Sequence, residues 1–402
     1  MAVDDPSSRL TVEIHRLFFL FKYTILPNIF LALILASRLP RWTHYVFLAC
    51  YICLSTFAFM SSDKLRTGYA WSDFMMGSTL GSCLFNALHM LVLVDPWKVY
   101  RHRKDDPRME PGGLSWARRV YWAWCATVSQ RGIGWNYQMP HIPSAQHKSK
   151  GRTRFSLYAL RQVLFYVFLL DLAQMILQDP PSLHNLDSEL YSIRSIPYPQ
   201  RVFYTATWFI GAYAGINASY FACVLVFVGV LGFSEEQDWP PFFGNLTDAY
   251  SVRNFWGRTW HQLVRRFCVS PGRKLNQMLG IAPKSVPAAL IQLYLAFFIS
   301  GIMHSLGDLM LGREYVGASL VFFGIQPLAI TFEEIVKFFL RQYVPDPIRV
   351  RTGSIVGYFW VVFWFTVTGP FLIDPAIRAG FNRDRIFPYS PVQLVAQILY
   401  PY

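Results

Sequence analysis

The stretch Phe297-Phe298-Ile299-Ser300-Gly301-Ile302-Met303-His304-Ser305-Leu306 closes an apolar run, 286–307, that decides the fold. A helix needs about 20 mostly apolar residues to cross a bilayer, and this run has that length. Similar runs fall at 17–37, 42–60, 71–94, 155–176, 202–233, 314–335 and 353–373. The fifth in chain order is long enough to be tilted, or broken near Gly211, Gly215 or Asn217. The tail from 374 carries Pro375, Pro388, Pro391 and Pro401 and reads as partly re-entrant or interfacial. No internal repeat or long linker divides the chain. The expectation is one all-α polytopic membrane domain over 1–402, with about eight transmembrane helices and interfacial helices around a central cavity.

Composition agrees. Only 15% of the 402 residues are charged and 53% are hydrophobic, whereas soluble domains average roughly 25% charged. A net charge of +13 would suit a nucleic-acid partner. The basic residues, however, fall in short loops between apolar runs, where they act as a positive-inside topology signal. No nucleic-acid partner is expected. The 95–154 loop (Lys98, Arg101, Arg103, Lys104, Arg118, Arg119, Lys148) and the 234–285 loop (Arg253, Arg258, Arg265, Arg266, Lys274) are basic. The 177–200 loop sets Arg194 beside Asp179, Asp187 and Glu189. This asymmetry puts both basic loops, and 336–352 with Lys337 and Arg341, in the cytosol and the amino terminus in the lumen. Within the basic loops, Trp116–Trp124 and Phe255–Phe267 combine aromatic residues with Arg, as interfacial helices do.

Other signals are weaker. Cys50 and Cys53 form a C-x-x-C inside a span without a second Cys/His pair, which points to packing rather than zinc or a disulfide framework. The first apolar run lacks a small-residue cleavage site and is expected to remain as a span.

Two constellations could carry chemistry. His304 is ionisable inside an apolar run, which by default marks a site. Asp308 lies one turn on, sharing its helical face, where it could orient the imidazole or stabilise its cation. The bland alternative is a neutral core histidine bonded across helices. His89, with Asn86 at i−3, is the internal control, because no second motif accompanies it. His44 reads as interfacial. The second constellation is Asn254-Phe255-Trp256-Gly257-Arg258-Thr259-Trp260-His261-Gln262. Asn254, Arg258 and His261 would share one helical face, with Trp256 and Trp260 on a neighbouring one. Trp and Arg are common head-group anchors, but the polar content exceeds what anchoring needs. This segment, in the 234–285 motif loop just before the 286–307 helix, could border one cavity with His304. The span map sets His304 toward the lumenal end, so convergence requires the segment to dip inward.

The stretch Leu246-Thr247-Asp248-Ala249-Tyr250-Ser251-Val252-Arg253 leading into Asn254–Gln262 resembles the signature of wax-synthase-like members of the membrane-bound O-acyltransferase superfamily. Ser300-Gly301-Ile302-Met303-His304 resembles the segment around that family's catalytic histidine. Arg131-Gly132-Ile133-Gly134 and Asp95-Pro96-Trp97 are similar to further segments of fungal members, some of which acetylate terpenoid or polyketide alcohols. The resemblance spans roughly 70–310. It implies an acyl-CoA:alcohol O-acyltransferase, with acetyl-CoA as co-substrate rather than a bound cofactor and His304 as base. Many members carry Asn where His261 stands. Several follow the catalytic histidine with Glu, where this chain has Ser305 and Asp308 is the available substitute.

The chemistry fits the residues. A positioned base speeds an alcohol's attack by typically about 10²–10⁴-fold, and apolar surroundings favour the neutral imidazole that a base requires. No Ser or Cys sits in a nucleophile elbow, so direct attack without an acyl-enzyme is expected. Asn254 or His261 could donate to the oxyanion. Arg253, Arg258, Arg265 and Arg266 could meet coenzyme A phosphates, although topology bias accounts for them equally. Trp256 and Trp260 are candidate substrate contacts. A wax-ester synthase using long acyl chains, and a transporter with a proton-relay histidine, are the rivals; no symmetric pair of broken spans favours the latter. Acyl-CoA, a lipophilic alcohol and membrane lipid are the expected partners, in a multi-pass protein of the endoplasmic reticulum.

The topology is checkable. Asn245-Leu246-Thr247 is a glycosylation sequon, and a cytosolic motif loop leaves it unmodified. Endoglycosidase treatment of eukaryotic membranes should leave mobility unchanged. A shift abolished by Asn245→Gln would put that loop in the lumen.

Overall fold

A computed structural model describes residues 6–106, 113–144, 151–178, 192–343, 346–381, 383 and 390–399. Lys148, Asp179, Asp187, Glu189, Pro388 and Pro401 lie outside them. The described residues are mostly helical, with no strand among them beyond an isolated bridge between His102 and Trp135. Among the described residues, seven helices are long and apolar enough to cross a membrane: Glu13–Ser37, Arg41–Met60, Ala70–Leu93, Arg152–Gln178, Tyr198–Val230, Val286–Leu311 and Arg313–Tyr343. An eighth candidate is the pair Gly353–Thr368 and Pro370–Arg378, bent by 41°. The all-α, polytopic expectation holds.

Three details differ from the sequence reading. The fifth span does not break at Gly211, Gly215 or Asn217; its α-helix is continuous over Tyr198–Val224 and then widens into a π turn, Leu225–Val230. Gly211 instead admits Ala173, whose Cβ lies 3.4 Å from where a Cβ at 211 would be. Asn217 satisfies its amide on the Tyr213 carbonyl, 3.0 Å away. The eighth span bends at Gly369-Pro370, since proline has no N–H to continue the ladder. Lys337 and Arg341 ride on the last turns of the Ala318–Tyr343 helix instead of a loop.

By their contacts the residues form two compact units. One comprises Met1–Pro140 and Leu263–Leu328. Its core gathers Leu31, Leu35, Leu80, Met90, Trp122 and Met310. The Ala70–Leu88 and Val286–Leu311 helices approach closely because both carry glycine at the crossing. A Cβ at Gly77 would strike the Leu306 carbonyl and come within 2.9 Å of the Gly307 Cα. One at Gly307 would lie 2.7 Å from the Phe74 carbonyl. Gly81, one turn after Gly77, extends the small-residue stripe that such crossings use.

In the same unit Trp116–Val128 is a helix with Trp116 and Tyr121 exposed and Trp122 and Ala126 buried, the two-faced pattern expected of it. The segments around Asp95-Pro96-Trp97 and Arg131-Gly132-Ile133-Gly134 form one module. Arg103 N donates to the Gly134 carbonyl (2.8 Å) and Asn136 N to the Arg101 carbonyl (2.9 Å). Trp97 stacks on Trp122 with centroids 4.2 Å apart, and Trp122 meets Trp135 edge-on at 5.2 Å. Gly132, at φ +67°, has no room for a side chain, since a Cβ would sit 2.7 Å from the Tyr137 ring. These family-like residues build a scaffold.

The other unit comprises His141–Gln262 and Ala329–Tyr402. Arg152–Gln178 packs on Tyr198–Val224 through Phe155, Ala159, Phe221 and Val224. Ile193 and Ile196 pack on Ile373 and Ile377.

Gly307→Val should lower the thermal midpoint in detergent, because overfilling a close-packed contact costs about 1–3 kcal/mol. Gly324→Ala is the control, with nothing within 4 Å of its Cβ position, and should not lower the midpoint, since alanine is the better helix former.

Candidate functional site

His304 sits on the Val286–Leu311 helix with Nδ1 2.8 Å from the Ser300 carbonyl oxygen, one turn back. A carbonyl can only accept, so Nδ1 carries the proton of the neutral ring and Nε2 keeps its lone pair. Nε2 makes no hydrogen bond to any described residue. The ring is half-buried, stacked on Phe323 at 4.4 Å with Phe74 at 6.2 Å. Gly301 and Gly307, three residues to either side, create that setting. A Cβ at Gly301 would lie 3.0 Å from the Leu320 Cα, on the helix of Phe323, and Gly307 abuts Phe74 itself.

Asp308 does not hold the imidazole. Its oxygens accept from Ser319 N (2.9 Å) and Ser319 Oγ (2.7 Å), capping the start of the Ala318–Tyr343 helix. The Ser300 carbonyl does the orienting instead, a main-chain group that no side-chain pattern announces.

His89 is the contrast. Its Nδ1 is 2.8 Å from Ser270 Oγ and its Nε2 is 2.6 Å from the Tyr100 hydroxyl. Burial pushes the Tyr100 phenol above its ordinary range, keeping it a donor to Nε2. Ser270 Oγ in turn reaches the Phe267 carbonyl at 3.4 Å. Both ring nitrogens are committed, and the ring is 3% exposed. His89 is structural.

The motif segment is not the single helical face read from spacing. It is a short turn, Val252–Asn254, running into a π turn, Phe255–Thr259, which ends at extended Trp260. His261 therefore lies beyond the helix, against Phe242 (5.9 Å), Phe243 (5.8 Å) and Trp260 (5.7 Å). Nor is Phe255–Phe267 one interfacial helix, since a new one begins only at Arg265. The extra residue in the π turn comes with a dedicated lock. Gln262 Nε2 donates to the carbonyls of Trp256 (2.9 Å) and Trp260 (2.8 Å). Thr259 Oγ1 donates to the Asn245 carbonyl (3.1 Å), and Ser251 Oγ accepts from Asn254 N (3.1 Å).

The polar residues of the motif thus divide. Ser251, Thr259 and Gln262 fold it. Arg253 Nε pairs with Glu334 Oε1 at 2.9 Å, which Lys337 shares at 3.1 Å. The Asn254 side chain, half-buried, and the Arg258 side chain, exposed one turn on, make no hydrogen bond or ion pair with any described residue. Trp256 and Trp260 are half-buried in an aromatic cluster with Phe255 and, for Trp260, Phe243 at 5.1 Å. Arg266, grouped in the sequence reading with phosphate-binding arginines, is 5% exposed and caps a helix end. Its guanidinium donates to the carbonyls of Ala126 (2.9 Å) and Thr127 (3.3 Å) and to Asn86 Oδ1 (2.7 Å), where cations suit a helix C-terminus.

Glu333 escaped the sequence reading. It is a buried carboxylate bonded to the motif's main chain, and an acidic pair, Glu333-Glu334, inside an apolar run was the available signal.

This is a multi-pass helical protein with an uncommitted histidine in one span and a polar-aromatic turn locked by its own side chains. Residues 239–325, which include both features, match the profile of the membrane bound O-acyl transferase family. The chain is 30% identical to acetyltransferase ple2 of Rhodocybe pseudopiperita over 82% of its length and 83% of that protein. It is 30% identical to acetyltransferase eriL of Hericium erinaceus (81% and 83%) and 27% identical to O-mevalon transferase macI of Penicillium terrestre (91% and 89%). The chain belongs to the membrane bound O-acyl transferase family and is an O-acyltransferase.

The two histidines should differ in reactivity. Diethyl pyrocarbonate acylates an unprotonated, available imidazole nitrogen, so peptide mass mapping should find His304 modified and His89 unmodified. The reverse pattern would refute the assigned hydrogen bonds.

Proposed function

We propose that the protein transfers an acyl group, acetyl in the first instance, from coenzyme A to a hydroxyl of a lipophilic, terpenoid- or polyketide-like alcohol, with His304 as general base. The uncommitted Nε2 of His304 carries this reading, because Nδ1–H is already anchored on Ser300. In the reaction Nε2 takes the alcohol proton as the oxygen attacks the thioester carbonyl. The tetrahedral oxyanion then collapses, the C–S bond breaks, and the thiolate takes the proton back from the imidazolium. The products are ester and free CoA, with no acyl-enzyme.

Asn254 donates an amide hydrogen bond to the oxyanion, a role its unengaged side chain supports. His261 is the alternative donor. Arg258 meets the CoA phosphates; Arg253, already paired with Glu334, is the weaker candidate. Trp256 and Trp260 border the acceptor, and Asp308 acts on His304 only through the helix it caps. The relatives named acetyltransferases support the acetyl group, while the one named an O-mevalon transferase makes a larger group the competing outcome. The acceptor arrives through the lipid of an endoplasmic-reticulum membrane.

CoA release by purified protein, given acetyl-CoA or long-chain acyl-CoAs with a panel of alcohols, tests this. His304→Ala should lower the rate about 10²–10⁴-fold and Asn254→Ala about 10²–10³-fold. An undiminished rate in His304→Ala would rule out the base. A pre-steady-state burst of CoA release with slower steady-state turnover would point to an acyl-enzyme instead.

A further inference from the structure

Glu333 lies in the Ala318–Tyr343 helix, 6% exposed. Carboxylates inside a span are costly and need a specific reason. Oε1 accepts from Val252 N (2.5 Å) and Trp360 Nε1 (2.9 Å), and Oε2 accepts from Arg253 N (3.2 Å). Two of these donors are the opening N–H groups of the motif turn, which no intrahelical carbonyl can satisfy. Ser251 serves the next one, at Asn254. The turn's start is thus bonded to a residue 81 positions away. Its flank is pressed on the same side of the unit, where a Cβ at Gly357 would strike the Tyr250 carbonyl and the Tyr358 hydroxyl donates to the Thr247 carbonyl at 2.6 Å.

We propose that Glu333 is a positioning residue for acyl transfer: by holding the main chain of Val252 and Arg253 it sets where the Asn254 amide points. The proposal rests on the role given to Asn254 above. Asn254 is the next residue along, and its side chain has no bond of its own to fix it, so its direction follows from the backbone that Glu333 grips. Gln at 333 keeps the size but turns one acceptor into a donor, leaving N–H facing N–H at Arg253 or at Val252 and Trp360.

The test uses the full-length protein in detergent, acetyl-CoA, and whichever alcohol gives the fastest wild-type CoA release. Glu333→Gln should lower kcat about 10–100-fold, the scale of loss for a catalytic group displaced by about 1 Å, with KM for acetyl-CoA within about threefold. The double variant Glu333→Gln/Asn254→Ala should be no slower than Asn254→Ala alone, a non-additivity that a general loss of folding would not produce. Trp360→Phe, which removes one donor and leaves the carboxylate in place, should cost kcat less than Glu333→Gln does. If Glu333→Gln does not fold, Trp360→Phe carries the test by the same non-additivity with Asn254→Ala. Wild-type kcat in Glu333→Gln, or losses that multiply in the double variant, would overturn the proposal while leaving the Asn254 reading intact. A wild-type rate in Asn254→Ala would instead remove the reading on which it rests.

Discussion

Hydrocarbon offers no hydrogen-bond partners, so every polar group that enters a span must find its partner within the protein. This constraint organises the chain's ionisable residues. Five carboxylates are buried among the described residues: Asp73, Asp171, Asp308, Glu333 and Asp374. Each accepts main-chain N–H groups at, or within a few residues before, the start of a turn or helix. Asp73 serves Thr67, Asp171 serves Val392, Asp308 serves Ser319, Glu333 serves Val252 and Arg253, and Asp374 serves Ile193. Negative charge is favourable there because opening N–H groups are unpaired and the helix dipole is positive. Arg266, buried as well, mirrors the pattern by donating to a carbonyl at a helix end. Among the described residues, buried charge is mostly end-capping.

Against that background an uncommitted group stands out. His89 and His304 both lie in spans, yet His89 bridges Ser270 and Tyr100 with both nitrogens, whereas His304 bonds through one. The same division separates Asn254 and Arg258 from Ser251, Thr259 and Gln262 within a single stretch of twelve residues. A family signature here mixes residues that fold the segment with residues left open to a substrate. Spacing alone cannot sort them, because both kinds are polar and adjacent.

The spans were legible because about 20 apolar residues are a long, redundant signal; one or two substitutions do not erase it. The Trp116 helix was legible in kind for similar reasons, whereas the bend at Gly369-Pro370 inside the 353–373 run was not read from its proline. The motif geometry was not. Asn254, Arg258 and His261 share a face only on an ideal α-helix, and a π turn closed by Gln262 takes His261 off it. Helical spacing put Asp308 beside His304, but the N–H groups at the next helix's start bid more strongly for its carboxylate. The Ser300 carbonyl was invisible because every residue has one. Glu333 was missed although the reasoning that singled out His304, a titratable group in an apolar run, applied to it without change.

The glycines around His304 tie the fold to the chemistry. A histidine on an isolated span would bond its own helix and meet lipid with the rest of its ring. Here Gly301 and Gly307, at three residues before and after, face different helices and remove the side chains that would hold those helices away. The Phe323 helix approaches over the first and Phe74 over the second, so the ring stacks on Phe323 at 4.4 Å and has Phe74 as a second aromatic neighbour at 6.2 Å. Neither phenylalanine can accept or donate a conventional hydrogen bond, which leaves Nε2 its lone pair, and the backbone carbonyl fixes which nitrogen that is. The Ser300 carbonyl and this close packing together thus do for the imidazole what a carboxylate partner does in many soluble enzymes: the carbonyl sets the tautomer and the packing holds the ring, without placing a second charge in hydrocarbon.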